Sequence, residues 1–295
     1  MKDAFSRCHP AVNFIYFLLV IGSSMLLFHP VCLGVGFFCS LACAWILTGK
    51  KLIRTLGGLS VMMVLAAALN PLFNHEGATV LGYFSSGNPL TLESIWSGAA
   101  SAVMLGTVVL WFSCYHAVMT SDKFVYLFGR IIPAFSMVLS AVLRFIPCFM
   151  RQLGRIQQSQ RHMEGKNTAA RIGSGIRQGL RQVSMMITWS LEHAVDTGDS
   201  MRARGYGLPG RTAFIRYRLS SRDWLLLGAE AAGGLFLMLG AMLGKLRFHF
   251  YPVMRMADMT AFSLVLFVVY ALICLIPVFT AVTEEIQWRH SRSKI

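Results

Sequence analysis

Six apolar runs, each of about the 20 residues that a helix needs to cross a bilayer, decide what this chain can fold into. They cover Ala11–Phe28, Val31–Leu47, Leu56–Phe73, Ile95–Val118, Trp224–Leu243 and Met259–Val282. A chain that is 55% hydrophobic could instead bury a large soluble core. However, soluble domains carry about 25% charged residues, and this one carries 14%. The expected fold is therefore all-α and polytopic. It has a four-span block (1–121), a basic segment (122–222) and a two-span block with a basic tail (223–295).

Loop charge orients the spans, because Lys and Arg accumulate on the cytoplasmic side. The N-terminus, the Lys50–Lys51–Arg54 loop, the long segment 122–222 and the tail (Arg289, Arg292, Lys294) are basic. His29-Pro30 and Asn74–Glu93 contain no Lys or Arg. Both termini and the long segment are thus expected in the cytoplasm. The Gly244–Asp258 loop dissents with Lys245, Arg247 and Arg255, but the reverse topology would break the rule four times.

The segment 122–222 carries 16 Lys/Arg against 5 Asp/Glu, or +11 of the chain's net +14. Its apolar part, Ala134–Met150, is interrupted by Arg144 and Pro147. Arg130, Arg144 and Arg151 would each cost roughly 2.5–3.5 kcal/mol at the bilayer centre. An interfacial helix continued by the polar stretch Leu153–His162 is therefore expected, not a seventh span. A second amphipathic helix follows from Ile172, Ile176, Leu180, Val183, Ile187, Leu191, Ala194 and Met201, whose steps of three and four make one apolar stripe. Arg171, Arg177, Arg181 and Asp199 fall off that stripe. Gly165–Thr168 separates the two helices and Gly205 ends the second.

Little in the chain suggests chemistry of its own. There is no GxxxxGK[ST] phosphate loop, no HExxH and no DxxD-type carboxylate repeat. The eight histidines are scattered, and the seven cysteines, mostly inside apolar runs, read as buried thiols. Gly205-Tyr206-Gly207-Leu208-Pro209-Gly210 matches G-x-G-x-x-G, but a helix precedes it where a dinucleotide site needs a strand. A helix stop and a turn explain these glycines better. Glu230 is the exceptional intramembrane acid, one to two turns into the fifth span. A proton or ion relay normally needs more than one.

Two arginine-bearing helix ends remain. Arg202-Ala203-Arg204-Gly205 closes the second helix, and Gln160-Arg161-His162 closes the first. Cations at a helix C-terminus complement the macrodipole, which is one reading. The other is that the planar guanidinium projects past the helix end and pairs with carboxylates and carbonyls of a partner.

With His9-Pro10, Leu143-Arg144-Phe145-Ile146-Pro147 and Arg202-Ala203-Arg204-Gly205-Tyr206-Gly207, the chain resembles the transmembrane T component (EcfT/CbiQ-like) of energy-coupling factor (ECF) transporters, over nearly its whole length. The resemblance implies a non-catalytic scaffold in the cell membrane of a prokaryote. It implies two coupling helices, each ending in an X-Arg-X motif that docks one of two ATP-binding-cassette ATPases. Arg204 with Arg202, Ala203 and Gly205 matches the second motif. Arg161, flanked by Gln160 and His162, is the candidate for the first, which departs from the family's usual ending. The stripe Ile172, Ile176, Leu180, Val183, Ile187 and Leu191 would face a membrane-embedded substrate-binding S component, for uptake of a vitamin or other micronutrient. No cofactor or metal is expected in this chain, since ATP and Mg²⁺ would sit on the partner ATPases.

Other classes make different demands. A permease of a conventional ABC importer would also dock ATPases, but would bind substrate along its own pathway. A membrane enzyme acting on phosphorylated substrates should carry acidic metal ligands. A nucleic-acid surface would need no regular apolar stripe. Contact with the lipid bilayer, and no nucleic-acid partner, is the expectation.

Overall fold

The computed structural model of the chain describes residues 4–83, 89–129, 133–164, 172–206, 208, 217–244, 246, 248–250, 255–256 and 260–292. A single helical turn, α1 (Ala4–Arg7), leads into three long helices, α2 (Pro10–Leu26), α3 (Pro30–Thr48) and α4 (Lys51–Phe73). A hairpin of β1 (Val80–Tyr83) and β2 (Pro89–Thr91) precedes α5 (Leu92–Val118). Three helices occupy the basic segment: α6 (Ser121–Gly129), α7 (Pro133–Glu164) and α8 (Ile172–Ala203). Then come α9 (Ser221–Met242), a minimal hairpin of β3 (Phe248–His249) and β4 (Arg255–Met256), and α10 (Ala261–Arg292).

Six apolar helices thus stand where the six runs predict them. Five are long and apolar enough to cross a membrane, and α2 is slightly shorter at 17 residues. The ends move: α4 starts at Lys51 instead of Leu56 and continues through Pro71, while α10 runs on to Arg292. The chain is a multi-pass membrane protein. It divides into two compact units, residues 1–124 with 217–295, and residues 125–216.

The first unit, the membrane unit, is built around aromatic side chains. Phe5, Tyr16, Phe17 and Trp111 are all buried, and their rings meet edge to face at 5.1–6.3 Å, joining α1, α2 and α5. Edge-to-face contact sets the positive ring edge on a negative face. The Tyr16 hydroxyl donates to the carbonyl of Cys274 at 3.2 Å, tying α2 to α10. Between α4 and α5 the backbones approach closely. A Cβ on Gly98 would lie 2.6 Å from the Ala67 carbonyl oxygen, so only glycine fits there.

Both His-Pro pairs start helices by the same device. His9 Nδ1 accepts from the Ala11 N–H at 3.2 Å and His29 Nδ1 from the Val31 N–H at 3.3 Å, each with proline at the first helical position. Proline costs nothing there, because that N–H has no helical partner anyway. His29-Pro30, expected only as a turn, is therefore a cap equivalent to His9-Pro10. Lys123 on α6 is buried. Its ammonium reaches the Ser6 carbonyl, and donates to the Val118 carbonyl at 2.9 Å, where α5 ends.

In the second unit α7 and α8 are each continuous over 32 residues, about 48 Å at 1.5 Å per residue. As expected, one helix carries the apolar stretch, with Arg144 and Pro147 in it, on into Leu153–His162. Pro147 lies inside the helix, giving up only the N–H that would have bonded to Leu143. The proposed break at Gly165–Thr168 lies outside the described residues.

Candidate functional site

The arginine-bearing end of α8 is closed by backbone geometry. Gly205 has φ +73°, a left-handed conformation that costs glycine nothing. Its N–H bonds to the Arg202 carbonyl at 3.0 Å, and the Tyr206 N–H reaches back to the Met201 carbonyl at 3.0 Å. That pair of bonds is a Schellman motif, which satisfies carbonyls a helix otherwise leaves open. Arg202, Ala203 and Arg204 therefore occupy a fixed helix end and are all exposed. Arg202 lies 3.8 Å from Asp199, an exposed pair worth little in water. Among the described residues Arg204 forms no ion pair, leaving its charge open. Gly207, Pro209 and Gly210 lie outside the described residues.

The α7 end is arranged differently. Gln160 is only 2% exposed, and its amide nitrogen contacts the Met185 sulfur of α8 at 3.7 Å. Its side chain is turned toward α8, not presented beyond the helix end. His162 and Met163 are exposed. Arg161 belongs to α7, but its side chain lies outside the described residues, as does that of Ile172 at the start of α8.

Between these ends the two helices hold each other with rings. Phe149 meets Trp189 at 5.7 Å and Phe145 meets His193 at 6.1 Å, with Trp189 stacked on His193 at 4.8 Å. The contacts from Phe145 to Gln160 span about four turns of α7 yet touch only about two turns of α8, from Met185 to His193. Contacts that advance along α7 thus step back along α8, so the two helices run antiparallel. Sequence reasoning missed this clasp, although Phe145/Phe149 and Trp189/His193 both have the i, i+4 spacing that puts side chains together.

The apolar stripe of α8 is elsewhere. Its half-buried face runs through Gln182, Met186, Trp189 and His193. The stripe itself is open: Ile176, Leu180, Val183, Ile187 and Leu191 are all exposed, with Leu180 at 67%. On α7 the residues Val138, Val142, Ile146 and Met150, four apart, are exposed as well. This second stripe was overlooked because Arg144 and Pro147 drew attention to the interruption. Two uncovered apolar stripes, on helices ending in cations, are a surface prepared for something else to cover.

Residues 6–214 match the profile of the CbiQ family, described as cobalt transport protein. That is well over half of the 295 residues. The chain belongs to the CbiQ family. No curated protein matches it. The CbiQ match takes in α2 to α5, both helices of the second unit and the whole capped end at Arg204. As a member, the chain is a membrane component of a transporter.

Proposed function

We propose that this CbiQ-family chain is the transmembrane coupling subunit of an ECF-type importer. In this reading two ABC-type ATPase subunits dock on the helix ends, one at Arg204 with Arg202, Ala203 and Gly205, the other at Arg161 and His162. Gln160, buried against Met185, positions the first end and does not touch the ATPase. The uncovered stripes of α7 and α8 receive the membrane-embedded S component, which selects the cargo. Cobalt, named in the family's description, belongs with vitamins and other micronutrients as a possible cargo class. ATP and Mg²⁺ are bound by the ATPases, and both termini are cytoplasmic.

One observation carries the reading: α8 combines an uncovered apolar stripe with a rigidly capped end that presents an uncompensated Arg204. A guanidinium held this way enters a groove already ordered, so little conformational entropy is lost on docking. Movement of an ATPase is then passed along a helix about 48 Å long to the stripe.

The test is Arg204→Glu in the assembled complex. Reversing a charge at an interface anchor typically costs at least 2 kcal/mol, or about 30-fold in affinity. ATP-driven uptake should be lost and ATPase co-purification weakened, while the S component still co-purifies. Wild-type uptake and assembly in that variant would falsify the docking role.

A further inference from the structure

Among the described residues of the membrane unit three carboxylates are buried, and two of them are fully engaged. Glu93 accepts from the Thr79 N–H at 3.2 Å and from the Thr79 hydroxyl at 2.7 Å. Asp223 accepts from the Ser220 N–H at 2.9 Å and from the His9 N–H at 3.3 Å. Glu230 is 0% exposed and neither carboxyl oxygen has a hydrogen-bond partner. It lies six residues past Trp224, where the apolar run of α9 begins, about 9 Å along the helix and one to two turns into the span as expected.

Two contacts fix how α2 lies along α9. His9 meets Asp223 at one end, and a Cβ on Gly234 would collide with the Leu19 side chain further on. The helices are parallel with an offset of 214 to 215 residues, so Glu230 is level with Ile15 and Tyr16. One turn before Tyr16, on the same buried face of α2, is Asn13. It is also 0% exposed, and neither its amide nitrogen nor its amide oxygen has a partner. With that offset Asn13 is level with Leu227 and Gly228, within about one turn of Glu230, so the four orphan polar atoms lie in one stretch of the α2–α9 interface.

Among the described residues no cation stands at that level. The titratable groups on the elements packed against α9 are Tyr16 and, at its start, His9 on α2, with Tyr270 and Cys274 on α10; Cys8 precedes α2. The far end of α10 adds Glu284, paired with Arg7, and then Glu285, Arg289, His290 and Arg292. On α9 itself Arg222 and Asp223 lie two turns earlier, and Lys123 is engaged at the α1–α5 ends. A lone carboxylate so placed is shut off from bulk solvent and has no countercharge beside it, so the neutral acid is favoured.

We propose that Glu230 is a membrane-buried proton-binding site, held as a neutral acid and linked to Asn13 through an enclosed water. The acid donates its O–H to the water, and the water donates to the Asn13 oxygen while the Asn13 amide completes the ring. Such a site keeps its proton only while α2 and α9 stay packed. Separation of the two helices admits water and lets the acid ionise.

The experiment is infrared spectroscopy of the full chain in lipid nanodiscs at neutral pH, in H₂O and D₂O. A carbonyl-stretch band of a neutral carboxylic acid should be present, shift on deuteration and disappear in Glu230→Gln. Asn13→Leu should displace the band without removing it. A wild-type spectrum in which every acid is ionised overturns the proposal, and needs no variant to fold. A band unchanged in Asn13→Leu overturns the role of Asn13. Loss of the band on adding sodium or potassium overturns proton binding in favour of a cation site.

Discussion

In the membrane unit Trp111, Tyr16, Phe17 and Leu110 are sealed inside, and each hydrophobe locks its neighbours. In the 125–216 unit Leu180, Ile176 and Leu191 stand open, and the described contacts between α7 and α8 include the rings of Phe145, Phe149, Trp189 and His193 and the Gln160–Met185 contact. Charge divides the same way. The second unit has 13 Lys/Arg against 4 Asp/Glu, net +9 of the chain's +14. The lesson is about completeness. The membrane unit encloses a core of buried rings and exposes further apolar side chains such as Phe38, Val64 and Leu225, for which lipid is the solvent, whereas the described apolar stripes of the second unit stand exposed on helices of a strongly basic segment.

That contrast can be broken by the same kind of deletion on each side. Trp111→Ala should destabilise the purified chain by about 3–5 kcal/mol through the cavity it leaves, read as a large drop in Tm in detergent. Leu180→Ala should change Tm of the isolated chain by the equivalent of no more than about 0.5 kcal/mol, yet weaken recovery of the S component from the complex. Equal destabilisation by the two would show that the α8 stripe is core after all. Gly205→Ala probes the capped end. A side chain at φ +73° costs about 1 kcal/mol, so ATPase affinity should fall about fivefold, with little change in Tm of the membrane unit.

The smallest effect concerns the paired histidine caps. Burial holds both imidazoles below the ordinary value of about 6.5, partly opposed at His9 by Asp223. Because the folded values are depressed, the unfolded chain binds protons first as pH falls through 6.5. Stability should therefore decline from there downward, until the folded imidazoles also protonate and lose their acceptor nitrogens. Each cap should contribute less than about 1 kcal/mol. Asn at both positions caps without titrating, so His9→Asn with His29→Asn should flatten the slope of Tm against pH between 7 and 5.

Much of this was legible in the residues. The apolar runs placed all six membrane helices, and the three-four spacing from Ile176 to Leu191 gave the α8 stripe. Gly205 after Arg204 announced a helix end, which Tyr206 and Met201 complete. Less visible was the role of His29-Pro30, since a His-Pro pair reads as a turn until its Nδ1 is seen accepting from Val31. Pro147 interrupts the apolar run without ending the helix, which absorbs one missing N–H where the flanking turns are held by rings.

By itself the sequence determined that this chain is a bundle of membrane helices with a cationic, amphipathic insert, because runs of about 20 apolar residues and a stripe with helical period have few other folded outcomes. Only the tertiary structure decided which face of α8 packs on α7, that Gln160 turns inward, and that Glu230 and Asn13 are both buried without hydrogen-bond partners within about a turn of each other along the α2–α9 interface. Those facts depend on helix register, which arises from contacts between residues as far apart as His9 and Asp223. No local pattern encodes a contact of that range.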